Sequence, residues 1–200
     1  MCFQSKLSKK AAIIESQMKA TFVDVKAYQP TRLYNGFTFP KTPVILNSNP
    51  ELIEMVNWGL IPSWSNDKDI RKYTLNARVE TLDEKPSFKN VVGNRCLVLC
   101  DGFYEWQHVG KEKYKYEIGW NDSLFAFAGL YDQNDEQITY TIVTTEAVGV
   151  MREIHNTKLR MPYTLTNENA MTDWLAGNFP KPFHDFTTIP NLGHQLSMFT

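Results

Sequence analysis

The spacing of apolar and polar positions changes several times along this chain, and each change marks an element. Leu7, Ala11, Ile14 and Met18 follow the 4, 3, 4 spacing of one helical face, with Lys9, Lys10, Glu15 and Lys19 elsewhere, which predicts an amphipathic helix behind the N-terminus. Residues 28–50 are interrupted by Pro30, Gly36, Pro40, Pro43 and Pro50 and read as loops with short extended pieces, Val44-Ile45-Leu46 being the best strand. Residues 55–61 read as a strand running into a turn at Pro62-Ser63-Trp64. Residues 75–81 combine an amide, a guanidinium and a carboxylate with apolar positions, so the segment can face a core on one side and a polar ligand on the other. Residues 95–106 carry the strongest strand signal. Residues 114–118, 124–131 and 138–145 extend it as a predicted antiparallel meander, with Gln133-Asn134-Asp135-Glu136 as a polar break. A short helix is expected over 147–154, an extended piece over 161–165, and a last helix with Thr166 as N-cap and Gly177 as stop. In that helix Ala170, Met171, Trp174 and Leu175 share a face. This order predicts a single α+β domain over residues 1–200, with a curved, mostly antiparallel β-sheet or barrel-like core and flanking helices.

Composition narrows the class. At 200 residues with 42% hydrophobic content the chain has enough apolar side chain for a sizeable core, which excludes disorder. No apolar run approaches the roughly 18 residues of a membrane span, and the N-terminus carries neither a signal core nor a myristoylation glycine. A cytoplasmic protein, nucleoid-associated if bacterial, is the expectation. Three cysteines make no disulfide framework. Cys96 and Cys100 lie on one predicted strand, about 13 Å apart against a ~7 Å disulfide limit, and are expected in the core. The net charge of −1 gives no global sign of nucleic-acid affinity, so any such contact needs a local patch.

The candidate chemistry begins at Met1-Cys2. Removal of Met1, which a small second residue permits, leaves a cysteine with a free α-amine and a thiol. An aldehyde condenses with that amine to a Schiff base, and the thiol of the same residue closes on the imine carbon as a thiazolidine. The amine titrates near ~7.7–8.0 and the thiol near ~8.5, so both reactive forms exist around neutral pH.

Further along lie Trp58-Gly59-Leu60-Ile61-Pro62-Ser63-Trp64, Asn76-Ala77-Arg78-Val79-Glu80-Thr81, Asp101-Gly102-Phe103-Tyr104-Glu105-Trp106, and Ile154-His155 with Arg160-Met161-Pro162. With Met1-Cys2, these motifs in this order resemble the SRAP family, the SOS response-associated peptidases, over about Met1 to Trp174. The resemblance implies that Cys2 crosslinks covalently to abasic sites in single-stranded DNA, with Met1-removing peptidase and lyase activities as further expectations. It also implies the family's curved β core. Asn76, Glu105 and His155 match its active-site positions, and Arg78 and the tryptophan-bearing turn match its DNA-contacting surface. One departure is local: Phe3 and Gln4 follow Cys2 where family members commonly carry Gly-Arg.

Each residue type suits its implied task. Glu105 would deliver a proton to the leaving hydroxyl if its aromatic neighbours raise its pKa towards neutrality. His155, with an ordinary pKa near ~6.5, would switch protonation state at physiological pH, whereas His108, His184 and His194 fall in no motif. Asn76 would fix the Cys2 amine or a sugar oxygen. Arg78, on the same strand face, and Arg160 would hold phosphates, while Trp58, Trp64 and Tyr34 would stack on bases, with Asn35 and Pro40 placed on the same DNA-contacting surface. No Cys/His spacing points to zinc, and neither metal nor cofactor is expected. The expected partner is single-stranded DNA containing abasic sites, bound by a monomer. Two other readings stay open: an N-terminal-nucleophile cysteine peptidase or amidohydrolase, in which the α-amine serves as base, and a non-catalytic single-stranded DNA-binding module.

Overall fold

The computed structural model describes residues 2–134 and 137–190; Met1, His194, and Asp135 and Glu136 of the predicted polar break lie outside the described residues. Strand β1 (Gln4–Leu7) precedes helix α1 (Ala11–Met18), followed by β2 (Thr21–Phe22), β3 (Thr31–Asn35), β4 (Lys41–Leu46), β5 (Leu52–Trp58) and β6 (Asn76–Arg78). Next come β7 (Arg95–Cys100), β8 (Gly102–Val109), β9 (Glu112–Gly119), β10 (Phe125–Gln133) and β11 (Ile138–Glu146). Helix α2 (Val150–Ile154), β12 (Arg160–Pro162), β13 (Thr164–Leu165), α3 (Glu168–Leu175) and β14 (Thr187–Pro190) complete the described chain.

The strands form two sheets. One has the order β14-β9-β8-β1-β3, and the other runs β12-β11-β10-β7-β4-β5-β2. In the second, β5 also pairs with β11, so β11, β10, β7, β4 and β5 close into a ring, with the mixed, mainly antiparallel pairing expected of an α+β fold. Strand β7 is buried on both faces, which explains its unbroken apolar run. Leu97 and Leu99 join a core with Trp174 and Met171 of α3, while Cys96, Val98 and Cys100 face Trp58, Phe125, Phe127 and Cys2 on the other side. Cys96 and Cys100 are buried free thiols, as their spacing predicts.

Several boundaries differ from the sequence reading. Leu7 is not helical: it pairs with Thr31 in β1, and the helix starts only at Ala11, because the Ser8 N–H and Oγ donate to the Asp101 carboxylate at 2.8 and 2.7 Å. The same Asp101 divides the stretch 95–106 between β7 in the ring and β8 in the other sheet. The predicted meander is therefore two hairpins, β8-β9 and β10-β11, one in each sheet. The last helix is capped by Asn167, not Thr166, its Oδ1 accepting the Ala170 N–H at 2.9 Å, and Gly177 follows at φ +100. The helix predicted over 147–154 is shortened by Gly149, whose φ of +54 only glycine adopts readily.

Strands β7, β10 and β11 meet closely at Gly129, where a Cβ would lie 2.7 Å from Cys96 Sγ and 3.0 Å from the Thr141 carbonyl. Gly129→Ala is expected to destabilise the fold by about 1–3 kcal/mol. A lower denaturant midpoint at unchanged slope would show this, and an unchanged midpoint would contradict it.

Candidate active site

The site is built where the N-terminal strand enters the first sheet. Strand β1 lies between β3 and β8, Ser5 pairing with both Tyr34 and Phe103, and the Phe3 carbonyl accepts the Gly36 N–H at 2.8 Å. This carries Cys2 into the interior, where it is fully buried and its Sγ donates to the Gln4 carbonyl at 3.7 Å. Burial pushes the Cys2 thiol well above its ordinary range, and the Glu105 carboxylate adds to the rise.

Asn76 reaches Cys2 from the ring. Strand β6 runs parallel to β11 with Asn76 opposite Ile142, and Asn76 Nδ2 donates to the Cys2 carbonyl at 2.9 Å. Asn76 Oδ1 is buried and accepts no hydrogen bond among the described residues. The start of β6 is held by Trp58, whose Nε1 donates to the Leu75 carbonyl at 2.8 Å.

Glu105 comes from β8 and His155 from the end of α2, where the His155 N–H still donates to the Met151 carbonyl at 2.9 Å. The His155 Nε2 and Glu105 Oε2 atoms are 3.9 Å apart in a nearly dry environment, with residue exposures of 7% and 4%. Desolvation drives the two groups in opposite directions: Glu105 is pushed up to about 7, and His155 is pushed down to about 4. The group that titrates at physiological pH is thus the carboxyl, and the histidine expected to switch there stays neutral. Its tautomer follows from geometry, because Nδ1 accepts the Arg160 N–H at 3.1 Å and leaves the proton on Nε2, facing Glu105. Both residues open onto a cleft of about 370 Å³ that is also lined by Phe3, Trp106, His108, Lys113 and Thr157.

The other expected DNA-contacting residues separate into exposed and internal ones. Trp64 is 54% exposed on its turn, and Arg78 is exposed at the end of β6, beside Lys158 in a second cleft of about 410 Å³. Trp58 is different: it is fully buried, lies parallel to Tyr140 and belongs to the core rather than to a stacking surface. Arg160 is also internal. Its guanidinium makes two hydrogen bonds to the Glu80 carboxylate at 2.7 and 2.8 Å and one to the Thr144 carbonyl at 2.7 Å, which tie it to the wall behind His155, while its buried Nε has no hydrogen-bond partner among the described residues. Tyr34 is half-buried on β3; Asn35 uses its Oδ1 to cap a short turn at the Phe37 N–H; and the Pro40 carbonyl accepts the Trp58 N–H.

His108, Lys113 and Thr157 line the cleft with no signal in their local sequence. His108 is brought to the cleft by the β8-β9 hairpin, where it pairs with Lys113, and its backbone is tied to the Asn156 side chain at 2.8 and 3.1 Å. Phe3 was visible only as the unusual neighbour of Cys2. Among the described residues no cluster of three or more His, Cys, Asp or Glu side chains is arranged to hold a metal, and no helix is long and apolar enough to cross a membrane.

Comparison with known proteins gives one consistent picture. The model of the family described as SOS response associated peptidase (SRAP) matches residues 1–193, further than the resemblance legible in the motifs, which ended near Trp174. The abasic site processing protein YoqW of Bacillus subtilis (strain 168) is 40% identical over 173 residues, covering 82% of this chain and 74% of that protein. The abasic site processing protein HMCES of Xenopus tropicalis is 33% identical over 190 residues, covering 76% of this chain and 55% of its own longer chain. A crystal structure of a Bacteroides thetaiotaomicron protein from structural genomics superposes with a TM-score of 0.86 at 33% identity, covering 94% of this chain and 91% of that one.

Proposed function

Because the chain belongs to the SOS response associated peptidase (SRAP) family, we propose that it processes abasic sites in single-stranded DNA by forming a covalent crosslink through Cys2 once Met1 has been removed. The observation that carries this reading is the convergence on Cys2 of three polar groups from distant parts of the chain. Asn76 fixes its carbonyl, while Glu105, tuned to about 7, and neutral His155 face one cleft beside it.

The chemistry balances around Glu105. The Cys2 α-amine adds to the ring-opened sugar aldehyde to give a carbinolamine. Protonated Glu105 gives its proton to the carbinolamine hydroxyl, which leaves as water and generates the iminium. The resulting carboxylate takes the thiol proton as sulfur bonds to the iminium carbon; the C=N electron pair returns to nitrogen, and Glu105 ends protonated as it began. A thiol held neutral by burial suits this order, in which the amine attacks first and sulfur follows. In this reading the buried, unpartnered Asn76 Oδ1 accepts from the freed amine, and His155 Nε2–H donates to a sugar oxygen. Arg78 and Trp64 supply an exposed cation and an exposed ring for the strand.

The peptidase reading asks for an ionised thiol attacking an amide, and the burial of Cys2 beside Glu105 opposes that ionisation. The discriminating experiment is incubation with a single-stranded oligonucleotide carrying one abasic site, followed by a denaturing gel. A slower band is expected with the abasic strand and none with the undamaged strand or with an abasic site reduced to its alcohol. Equal bands with all three, or none with the first, would sink the proposal.

A further inference from the structure

The residue next to Cys2 is an aromatic ring that packs on the core with one side and faces the cleft with the other. Phe3 is only partly buried and lines the cleft with Glu105 and His155. Against it lies Phe37, 59% exposed and outside both core clusters, with ring centroids 4.7 Å apart and planes tilted by 33°. Backbone bonds hold this pair in place. The Gly36 N–H donates to the Phe3 carbonyl at 2.8 Å, and the Phe37 N–H donates to Asn35 Oδ1 at 3.2 Å. The approach depends on Gly36, where a Cβ would meet both the Phe3 carbonyl and the Trp58 ring at 3.3 Å. Phe3 thus lines the cleft with the exposed Phe37 ring against it, and the turn that carries Phe37 is hydrogen-bonded to the residue after Cys2.

An abasic strand offers such a surface a particular partner. Losing one base removes the stacking neighbour of the bases beside it, so each keeps an uncovered π-face. Phe3 directly follows Cys2 and lines the cleft shared by Glu105 and His155, so its ring is the aromatic face nearest the base beside the reacting sugar. We infer that Phe3, backed by Phe37, stacks on the base immediately flanking the abasic sugar and takes the place of the missing base. This rests on the reading that Cys2 reacts with abasic DNA. Stacking of this kind tolerates every base but is strongest on the larger purine face, so the reaction discriminates by the neighbour of the lesion.

The test measures initial crosslinking rate against DNA concentration for oligonucleotides whose single abasic site is flanked by adenines or by thymines. Wild type is expected to half-saturate at about three-fold lower concentration with adenine flanks. Phe3→Leu, which keeps apolar volume and loses the π-face, is expected to raise the adenine half-saturation about five-fold and to abolish the adenine preference, while the rate at saturating DNA changes less than about two-fold. Phe3→Trp restores both. Phe37→Ala, at an exposed position that tolerates truncation, moves the half-saturation and the preference in the same direction and carries the test if Phe3→Leu does not fold. Wild-type half-saturation and preference in the folded variants overturn the inference. So does a lowered saturating rate at unchanged half-saturation, which would make Phe3 a packing support for Cys2. Absence of any crosslink with wild type overturns instead the reading on which the inference rests.

Discussion

Cys2→Ala is expected to abolish the heat-stable DNA crosslink while leaving the fold in place. The substitution removes the only thiol that shares a residue with the attacking amine, so an alanine N-terminus forms at most a Schiff base, which hydrolyses unless it is trapped by borohydride. Loss of stable product is therefore complete rather than graded. The fold survives because the change deletes one buried sulfur, an effect of about 1 kcal/mol. The Asn76 anchor is unaffected, since it binds the backbone carbonyl of residue 2. A denaturing gel and a thermal unfolding curve read the two halves of this prediction. A stable crosslink in the alanine variant, resistant to heat without reduction, would mean that another group is the nucleophile.

Glu105→Gln has the second largest expected effect, a fall of about 10²–10⁴-fold in crosslinking rate, the usual range for loss of a positioned general acid. The dependence on pH follows from the two groups involved. Glu105 must be protonated, and burial sets its midpoint at about 7; the Cys2 amine must be free, with an ordinary pKa of ~7.7–8.0. The wild-type rate should peak between these values and decline on both sides, and the glutamine variant should lose the alkaline decline. Stability gives an independent readout. The Glu105 pKa in the fold is raised from 4.5 to about 7, so its contribution is fully present below about pH 4.5 and is lost as pH rises through 7, a change on the order of a few kcal/mol. Glu105→Gln should thus stabilise the protein more at pH 8 than at pH 5. His155 acts in the opposite sense: its lowered pKa makes stability fall as pH drops from 6.5 towards 4. An alkaline limb that persists in Glu105→Gln, or equal stability differences at both pH values, would remove Glu105 from the role of acid.

Much of the fold and most of the residues around Cys2 were legible in the sequence, for identifiable reasons. Strands β7 and β10 are buried on both faces and announce themselves as apolar runs, and Asn76, Glu105 and His155 sit in short motifs with distinctive neighbours. What escaped depends on partners far away in the chain. The bend at Asp101 that sends β7 and β8 into different sheets is fixed by Ser8, 93 residues earlier. Arg160 reads as a free cation until Glu80, 80 residues before it, is found holding its guanidinium. Trp58 and Trp64 flank one turn and look equivalent, yet Tyr140 and the Leu75 carbonyl draw only the first inside. The rise of Glu105 towards neutrality was legible in its aromatic neighbours, but the lowering of His155 was not, because its desolvation is a property of the assembled interior.

Central to all of this is Cys2 as the reacting N-terminus, and the mass of the crosslinked N-terminal peptide tests it most directly. After reaction with an abasic oligonucleotide, nuclease trimming and proteolysis, that peptide should begin at Cys2, lack Met1, and carry the sugar fragment with the loss of one water, with neither its amine nor its thiol open to alkylation. A peptide that retains Met1, or an adduct carried by a lysine while Cys2 remains free to alkylate, would contradict it.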